Sequence, residues 1–426
     1  MTDTAVSPSS GSSIFYGYVV AGYSFAILFL ASSFFLHSRG IFFPMWMADF
    51  NVDRTEISLV ITLTLFTGNC IAPLMGYLID RFPARLITMI GASWMATGYI
   101  TYQFIDSYYG FFACLLIFQS IGWVSVGPLV HTKLMVNWFS RNRGIALGVA
   151  IMGVSVAGIV MPTTATILAE NLGWRGSYSV YAGVLLLVFL PLTLLLVKQE
   201  PGDIGQFPDG DPAPPAIIGT SGSSVEGDNR GFEVYKEFLS SKSFWSVVIT
   251  FTLMNGVYSA MITHLPTYLT MELSFDMFDA SYVLGVAGGA AITGKIVFGW
   301  LMDHWNAKAT VLLGVGAYLV STVIFMTAVD YAVILVAAGF FGFAFGGMVP
   351  VRSVLLSRIF GVKKFSRANG LFSFFLAPAT FWVLATGYLA DATGTYVTAF
   401  QVWAVAFTLA GIVTIVIRLP NQQDSV

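Results

Sequence analysis

Charge is what this chain has least of. Asp, Glu, Lys and Arg make up 10% of its 426 residues, against about 25% in soluble domains. A soluble fold so poor in charge would have little surface to offer water. Cysteine is scarce as well. Cys70 and Cys114 both lie in apolar runs and read as small buried side chains. Two separated thiols and four scattered histidines (His37, His131, His264, His304) give no metal-ligand spacing, so no metal or other cofactor is expected. No Walker loop, nucleophile elbow, HExxH pair or cysteine cluster occurs. That argues against an enzyme and against an ATP-driven pump. The net charge is −2, and no nucleic-acid partner is expected. The first fourteen residues lack Lys and Arg, so they do not form the basic leader of a secretory signal. They read as disordered, and the first apolar segment reads as a retained membrane helix.

Hydrophobic residues, by contrast, make up 56% of the chain, and its mean hydropathy is +0.78. A helix needs about 20 mainly apolar residues to cross the hydrocarbon core. Twelve segments meet that length: 17–37, 56–79, 86–105, 109–132, 144–168, 176–197, 243–268, 280–302, 308–329, 331–356, 368–389 and 395–417. The expected fold is therefore an all-α membrane protein with twelve transmembrane helices in two six-helix bundles. Residues 1–15 form the N-terminus, 16–197 the first bundle, 198–242 a polar linker rich in Gly, Pro, Ser and Asp, 243–418 the second bundle and 419–426 the tail. With the N-terminus inside, fifteen of the twenty Lys and Arg residues fall in cytoplasmic segments. The positive-inside rule then makes both termini cytoplasmic in a multi-pass inner-membrane protein surrounded by lipid. Arg54 and Arg175 fall outside, Arg39 near the outside, and Lys295 and Arg352 within spans.

The second half repeats the first at an offset of 222–223 residues. Gly76-Tyr-Leu-Ile-Asp80-Arg81…Arg85 returns as Gly299-Trp-Leu-Met-Asp303-His304…Lys308, and Pro128, Ala146 and Gly148 return as Pro350, Ala368 and Gly370. Duplicated halves of this kind occur in secondary transporters. The glycines would let a neighbouring helix approach closely. The aspartates, at cytoplasmic helix ends, could bind basic groups or helix N-termini of the opposite half and so hold an inner gate shut. The alternative is that these charges only anchor topology. A second glycine series, Gly144, Gly148, Gly153 and Gly158 before Pro162, marks the fifth span as a closely packed helix.

The doubled Gly-x-x-x-Asp element resembles the signature loop of the major facilitator superfamily. Further stretches are similar to the monocarboxylate transporter family and its bacterial relatives. They are Tyr16-Gly-Tyr-Val-Val20, Gly40-Ile-Phe-Phe43 with Thr55-Glu-Ile-Ser58, Ala338 to Gly346, Phe365 to Leu371, and Pro201 to Gly210. The resemblance implies alternating access, with a small organic anion, a monocarboxylate foremost, moved together with protons. A larger or neutral metabolite, such as an aromatic acid or a flavin-like vitamin, is the alternative cargo.

An ionisable residue within a span is expensive and is a functional candidate by default. Lys295 lies eight residues before Asp303, about 12 Å along the helix. By resemblance it stands where the family has the Arg that grips the carboxylate. The acidic partner one turn earlier is replaced by Ala291. His37 matches the lysine to which the family's proton coupling is attributed, and a histidine titrates near neutral pH. Arg352 falls near the inner end of its span, as a gating or cargo residue. Asn255, Tyr258 and Gln119 are uncharged polar groups in apolar surroundings. Each could orient a ligand or simply bond a neighbouring helix. His131 and Lys133 are expected at the inner interface, and His264 at the outer end of its span.

Overall fold

The computed structural model describes residues 15–211, 231–361 and 364–416. The expectations for residues 1–14, the distal tail, Lys363 and the middle of the linker lie outside these. The described secondary structure is helical. Besides a short helix in the linker, Gly231–Ser240, the α-helical segments are α1 (Gly17–Phe50), α2 (Arg54–Arg81), α3 (Ala84–Thr101), α4 (Tyr108–Trp138), α5 (143–172), α6 (174–196), α7 (Lys242–Met271), α8 (Met277–His304), α9 (Ala307–Thr327), α10 (Tyr331–Phe360), α11 (Ala368–Thr393) and α12 (Val397–Val416). Among the described residues, ten stretches are long and apolar enough to cross a membrane, with 143–196 taken as one of them. That stretch breaks at Gly173, whose φ of 67° and ψ of 174° leave the helical region. Such a conformation suits a residue without Cβ. Helix α3 falls short of the ten. It has 18 residues, with Arg85, Thr88, Ser93, Thr97 and Thr101 along it.

Polar side chains start these helices where the chain leaves the apolar layer. Asp53 and Glu56 form a capping box on α2, while Ser241, Asp276, Asn306 and Asp330 accept first-turn N–H bonds on α7 to α10. The connections 51–53, 105–107, 272–276, 328–330 and 394–396 share one end of the molecule, here the far end. The opposite, terminal end carries the start of α1, the linker and the exit of α12.

Small residues set the closest helix approaches. A Cβ at Gly342 or Gly346 of α10 would collide with the carbonyl of Ala287 or Ala291 on α8, and one at Gly294 with that of Phe343. The Ala338–Gly346 motif is thus a packing device between α8 and α10. Helix α5 uses its glycines in both directions. Gly153 abuts Phe25 on α1, and Gly158 abuts Gly288 on α8, where a Cβ would stand 2.7 Å from the Gly158 carbonyl carbon.

Several expectations need correction. Helix α1 does not end at 37 but runs to Phe50 through a π-helical turn, Ser33–His37, and over Pro44. His37 and Arg39 therefore sit inside the molecule, 6% and 4% exposed, and Arg39 is not near the far end. Gly76 and Gly299 have open space where a Cβ would stand, so among the described residues no neighbouring helix approaches them closely in this conformation. Gly144 and Gly148 are equally open. Cys114 is buried but Cys70 is exposed, which costs an apolar residue nothing where the surroundings are lipid. His131 is buried too, with Nδ1 3.1 Å from Ser24 Oγ.

Candidate functional site: a cavity between the halves

Three helices lose regular geometry where they border one cavity. Helix α1 has its π-turn at Ser33–His37, α4 breaks at Gly127 before Pro128, and α11 passes through a 3₁₀ turn at Ala377–Thr380 around Pro378. Irregular backbone at membrane depth is tolerated where it lines a cavity, and here it does. A cavity of about 390 Å³ is lined by Leu36 and Arg39 of α1, Asn69 and Ala72 of α2, and Trp123 and Pro128 of α4. Asn255, Tyr258 and Ser259 of α7, Phe345 of α10, and Leu376 and Thr380 of α11 complete it from the second half. Among the described residues no Asp or Glu lines it.

The far end of this cavity is sealed by bonds between the halves. The Asp391 carboxylate accepts from the Thr55 backbone N–H at 2.7 Å and from Thr55 Oγ1 at 2.6 Å. It also faces Arg54 at 3.6 Å, and the Arg54 guanidinium lies 5.1 Å over the Tyr396 ring. One level deeper, His264 meets Ser58 Oγ at 3.3 Å, the Val383 carbonyl at 3.0 Å and Tyr396 at 3.0 Å. His264 is thus buried in the seal rather than simply ending a span. Deeper still, Thr62 Oγ1 donates to the Thr380 carbonyl at 3.3 Å. At mid-depth Arg39 donates to Ser259 Oγ at 3.3 Å, and Lys295 donates to Ser155 Oγ.

The terminal end is arranged differently. Asp80 pairs with Lys133 of its own half at 2.8 Å, and Arg81 lies over the Tyr77 ring. Arg85 is half-buried at the start of α3. Among the described residues Asp303 has no ion pair, and Lys308 donates to the Ile415 carbonyl at 3.2 Å.

The expected site residues divide accordingly. Asn255 and Tyr258 line the cavity, and Tyr258 stacks on Phe345 with centroids 3.3 Å apart. His37 lines an adjoining apolar pocket with Gly158, Ala287 and Ala291 and lies within electrostatic reach of Arg39 and Lys295. Lys295 is half-buried one turn below that pocket. Gln119 sits in a separate pocket of the first half, shared with Arg39, Tyr99, Tyr102 and Tyr178, and donates to the Met95 carbonyl at 3.4 Å. Arg352 lines a small pocket that shares Asn255 and Phe345 with the cavity, its guanidinium 4.9 Å over Phe372.

Sequence reasoning set Arg39 beside the His37 vestibule near the outer side but did not assign it a role at the site. The available signal was that residues 40–48 are again apolar, which makes Arg39 the single formal charge between 17 and 48.

Comparison with known proteins agrees with this architecture. The model of the Major Facilitator Superfamily matches residues 14–375 and 290–425. Monocarboxylate transporter 13 of Rattus norvegicus is 26% identical over 392 residues, covering 91% of this chain and 85% of that protein. Monocarboxylate transporter 11 of Homo sapiens is 25% identical, covering 94% and 82%. The MFS-type transporter YcxA of Bacillus subtilis is 23% identical, covering 90% and 91%. Among solved structures, a bacterial homolog of the human lysosomal transporter Spinster, inward-facing and unoccupied, superposes with a TM-score of 0.71 at 13% identity, over 96% of this chain and 100% of that one. The nucleoside transporter NupG gives 0.71 at 13% identity, over 94% and 99%.

Proposed function

Because this chain belongs to the major facilitator superfamily, we propose that it is a secondary active transporter of a small organic anion, foremost a monocarboxylate. In this reading it works by alternating access with proton symport. The chain crosses the inner membrane twelve times in two six-helix bundles, with α3 and both segments of 143–196 counted as spans. The terminal end is cytoplasmic, as the distribution of Lys and Arg requires.

One observation carries the anion reading. Arg39 lines the cavity, Arg352 lines a pocket that adjoins it and Lys295 lies one turn from a second adjoining pocket, while among the described residues no carboxylate lines the cavity. Unpaired charge at membrane depth is costly, and an anionic cargo would supply the missing counter-charge. The resemblance of this chain to monocarboxylate transporters at 23–26% identity supports the same class.

The bonds at the far end and the space around Gly76 and Gly299 fit an inward-open state. In the opposite state the Asp80 and Asp303 loops, with Arg81, Arg85 and Lys308, would close the cytoplasmic side, and Arg352 would move with them. Lys295 would meet the cargo as the halves rock, and His37 would carry the proton. A larger cargo, such as an aromatic acid or a flavin-like vitamin, is a second reading. The 390 Å³ volume and the aromatic lining favour it. Uptake of lactate, of aromatic acids and of flavins into proteoliposomes, with and without an inward proton gradient, separates the two readings. The anion reading requires carboxylate uptake driven by the gradient, and uptake of uncharged solutes alone would overturn it.

A further inference from the structure

We infer that Arg39 is the cargo's carboxylate anchor and that the cargo's body is an aryl group. The inference rests on the organic-anion reading above and makes it specific.

A guanidinium presents five N–H donors and stays charged. Arg39 is 4% exposed and lines the central cavity, yet among the described residues its side chain has one hydrogen bond to protein, to Ser259 Oγ at 3.3 Å. Its Nε is buried without a partner. Neither an ion pair nor an aromatic ring under the guanidinium compensates it among the described residues. The hydroxyl-bearing rings of Tyr258 and Tyr178 are its electrostatic neighbours. A buried charge needs a counter-charge or hydrogen bonds to the rest of its donors. A carboxylate supplies both, because its two oxygens match the planar fork of the guanidinium.

The shape of the cavity gives the rest of the cargo. Each half presents aromatic rings to it. Trp123 lies on Phe35 with centroids 4.8 Å apart and planes at 16°, and Tyr258 lies on Phe345 at 3.3 Å and 0°. Trp123, Tyr258 and Phe345 all line the cavity together with Arg39. A volume of about 390 Å³ falls in the range of roughly 300–1,000 Å³ that encloses ring-sized and larger ligands. A three-carbon acid held on Arg39 would fill little of this volume and would offer no ring to the aromatic walls. An aryl ring between them adds favourable ring–ring geometry. Because Arg39 bonds Ser259 across the halves, a carboxylate arriving on Arg39 would act at the junction that must rearrange during transport.

Equilibrium binding of radiolabelled benzoate and lactate to the purified full chain tests this. The wild type should bind benzoate at least ten-fold more tightly than lactate. Arg39→Gln should weaken benzoate at least ten-fold, and Arg39→Lys should recover part of the loss. Trp123→Leu leaves the guanidinium in place and should narrow the preference for benzoate over lactate. It therefore tests the aryl assignment even if Arg39→Gln does not fold. Benzoate binding unchanged in a monodisperse Arg39→Gln protein would overturn the anchor. Lactate bound as tightly as benzoate, or an unchanged preference in Trp123→Leu, would overturn the aryl body and leave the organic-anion reading standing. Binding of neutral solutes with no carboxylate bound would overturn both.

Discussion

Asp391 on α11 holds the N-terminus of α2 through Thr55, accepting from both its backbone N–H at 2.7 Å and its hydroxyl at 2.6 Å. The carboxylate thus sits at the positive end of a helix dipole while also facing Arg54. This contact closes the far end of the cavity. Asp391→Asn keeps the shape but removes the charge. The pair is partly exposed, so the loss should be on the order of 1 kcal/mol, about five-fold in the population of the sealed state. Ile262 of α7 lines the apolar pocket beside His37, and labelling of Ile262→Cys by an impermeant thiol reagent from the far side, in a background lacking Cys70 and Cys114, should rise accordingly. An unchanged labelling rate would show that the seal does not depend on Asp391.

Asp209 in the linker holds the chain before α5. Its carboxylate accepts from the backbone N–H groups of Ser140 at 2.9 Å, Arg141 at 2.7 Å and Asn142 at 3.2 Å. Partial burial pushes its pKa up, but the three N–H donors outweigh that and hold the carboxyl below its ordinary range. A depressed carboxylate pKa contributes stability that is present above the unfolded-state value and lost as pH falls through the folded-state value. The wild type should therefore unfold at a higher temperature than Asp209→Asn at pH 7. The two melting curves should converge as the pH is lowered below about 4. A difference that persisted at acid pH would contradict the assignment.

The crossing of α5 and α8 gives a paired test. A Cβ at Gly288 would press on the Gly158 backbone, while Gly289 next to it has open space. Gly288→Leu should cut transport more than ten-fold, and Gly289→Leu should leave it within about two-fold. Initial uptake rates at matched expression decide this, and equal effects would show that the close crossing is not required.

Lys295 and His37 separate cargo handling from coupling. Lys295→Ala should abolish anion transport with expression intact. His37→Ala should keep some transport but flatten its pH dependence, since an imidazole is the side chain that ordinarily titrates near neutrality. Normal uptake by the first variant, or an unchanged pH profile in the second, would remove the residue from its role.

How much of this was legible follows from what a sequence window can see. Lys295 stood out because a lone charge in an apolar run has no local explanation. The Ala338–Gly346 stretch was visible as a motif, and the structure gives its reason in the collisions a Cβ would make with α8. Arg39 was obscured because a span-length window starting at Gly17 closes at His37. The helix in fact continues for 34 residues to Phe50. His264 looked like the outer end of a span, and its place in the seal depends on Ser58, Val383 and Tyr396, far away in sequence. The Asp80 and Asp303 loops were legible as a repeat. Their pairing in this conformation, Asp80 with Lys133 of its own half, was not, since it depends on residues far apart in sequence.

The central claim is that this chain moves an organic anion using the proton gradient. The direct measurement is uptake of labelled lactate, pyruvate, aromatic acids and flavins into proteoliposomes, with and without an inward proton gradient. The account predicts carboxylate accumulation that depends on the gradient, with aromatic acids preferred over lactate. Uptake of an uncharged compound independent of protons, with no carboxylate moved, would contradict it.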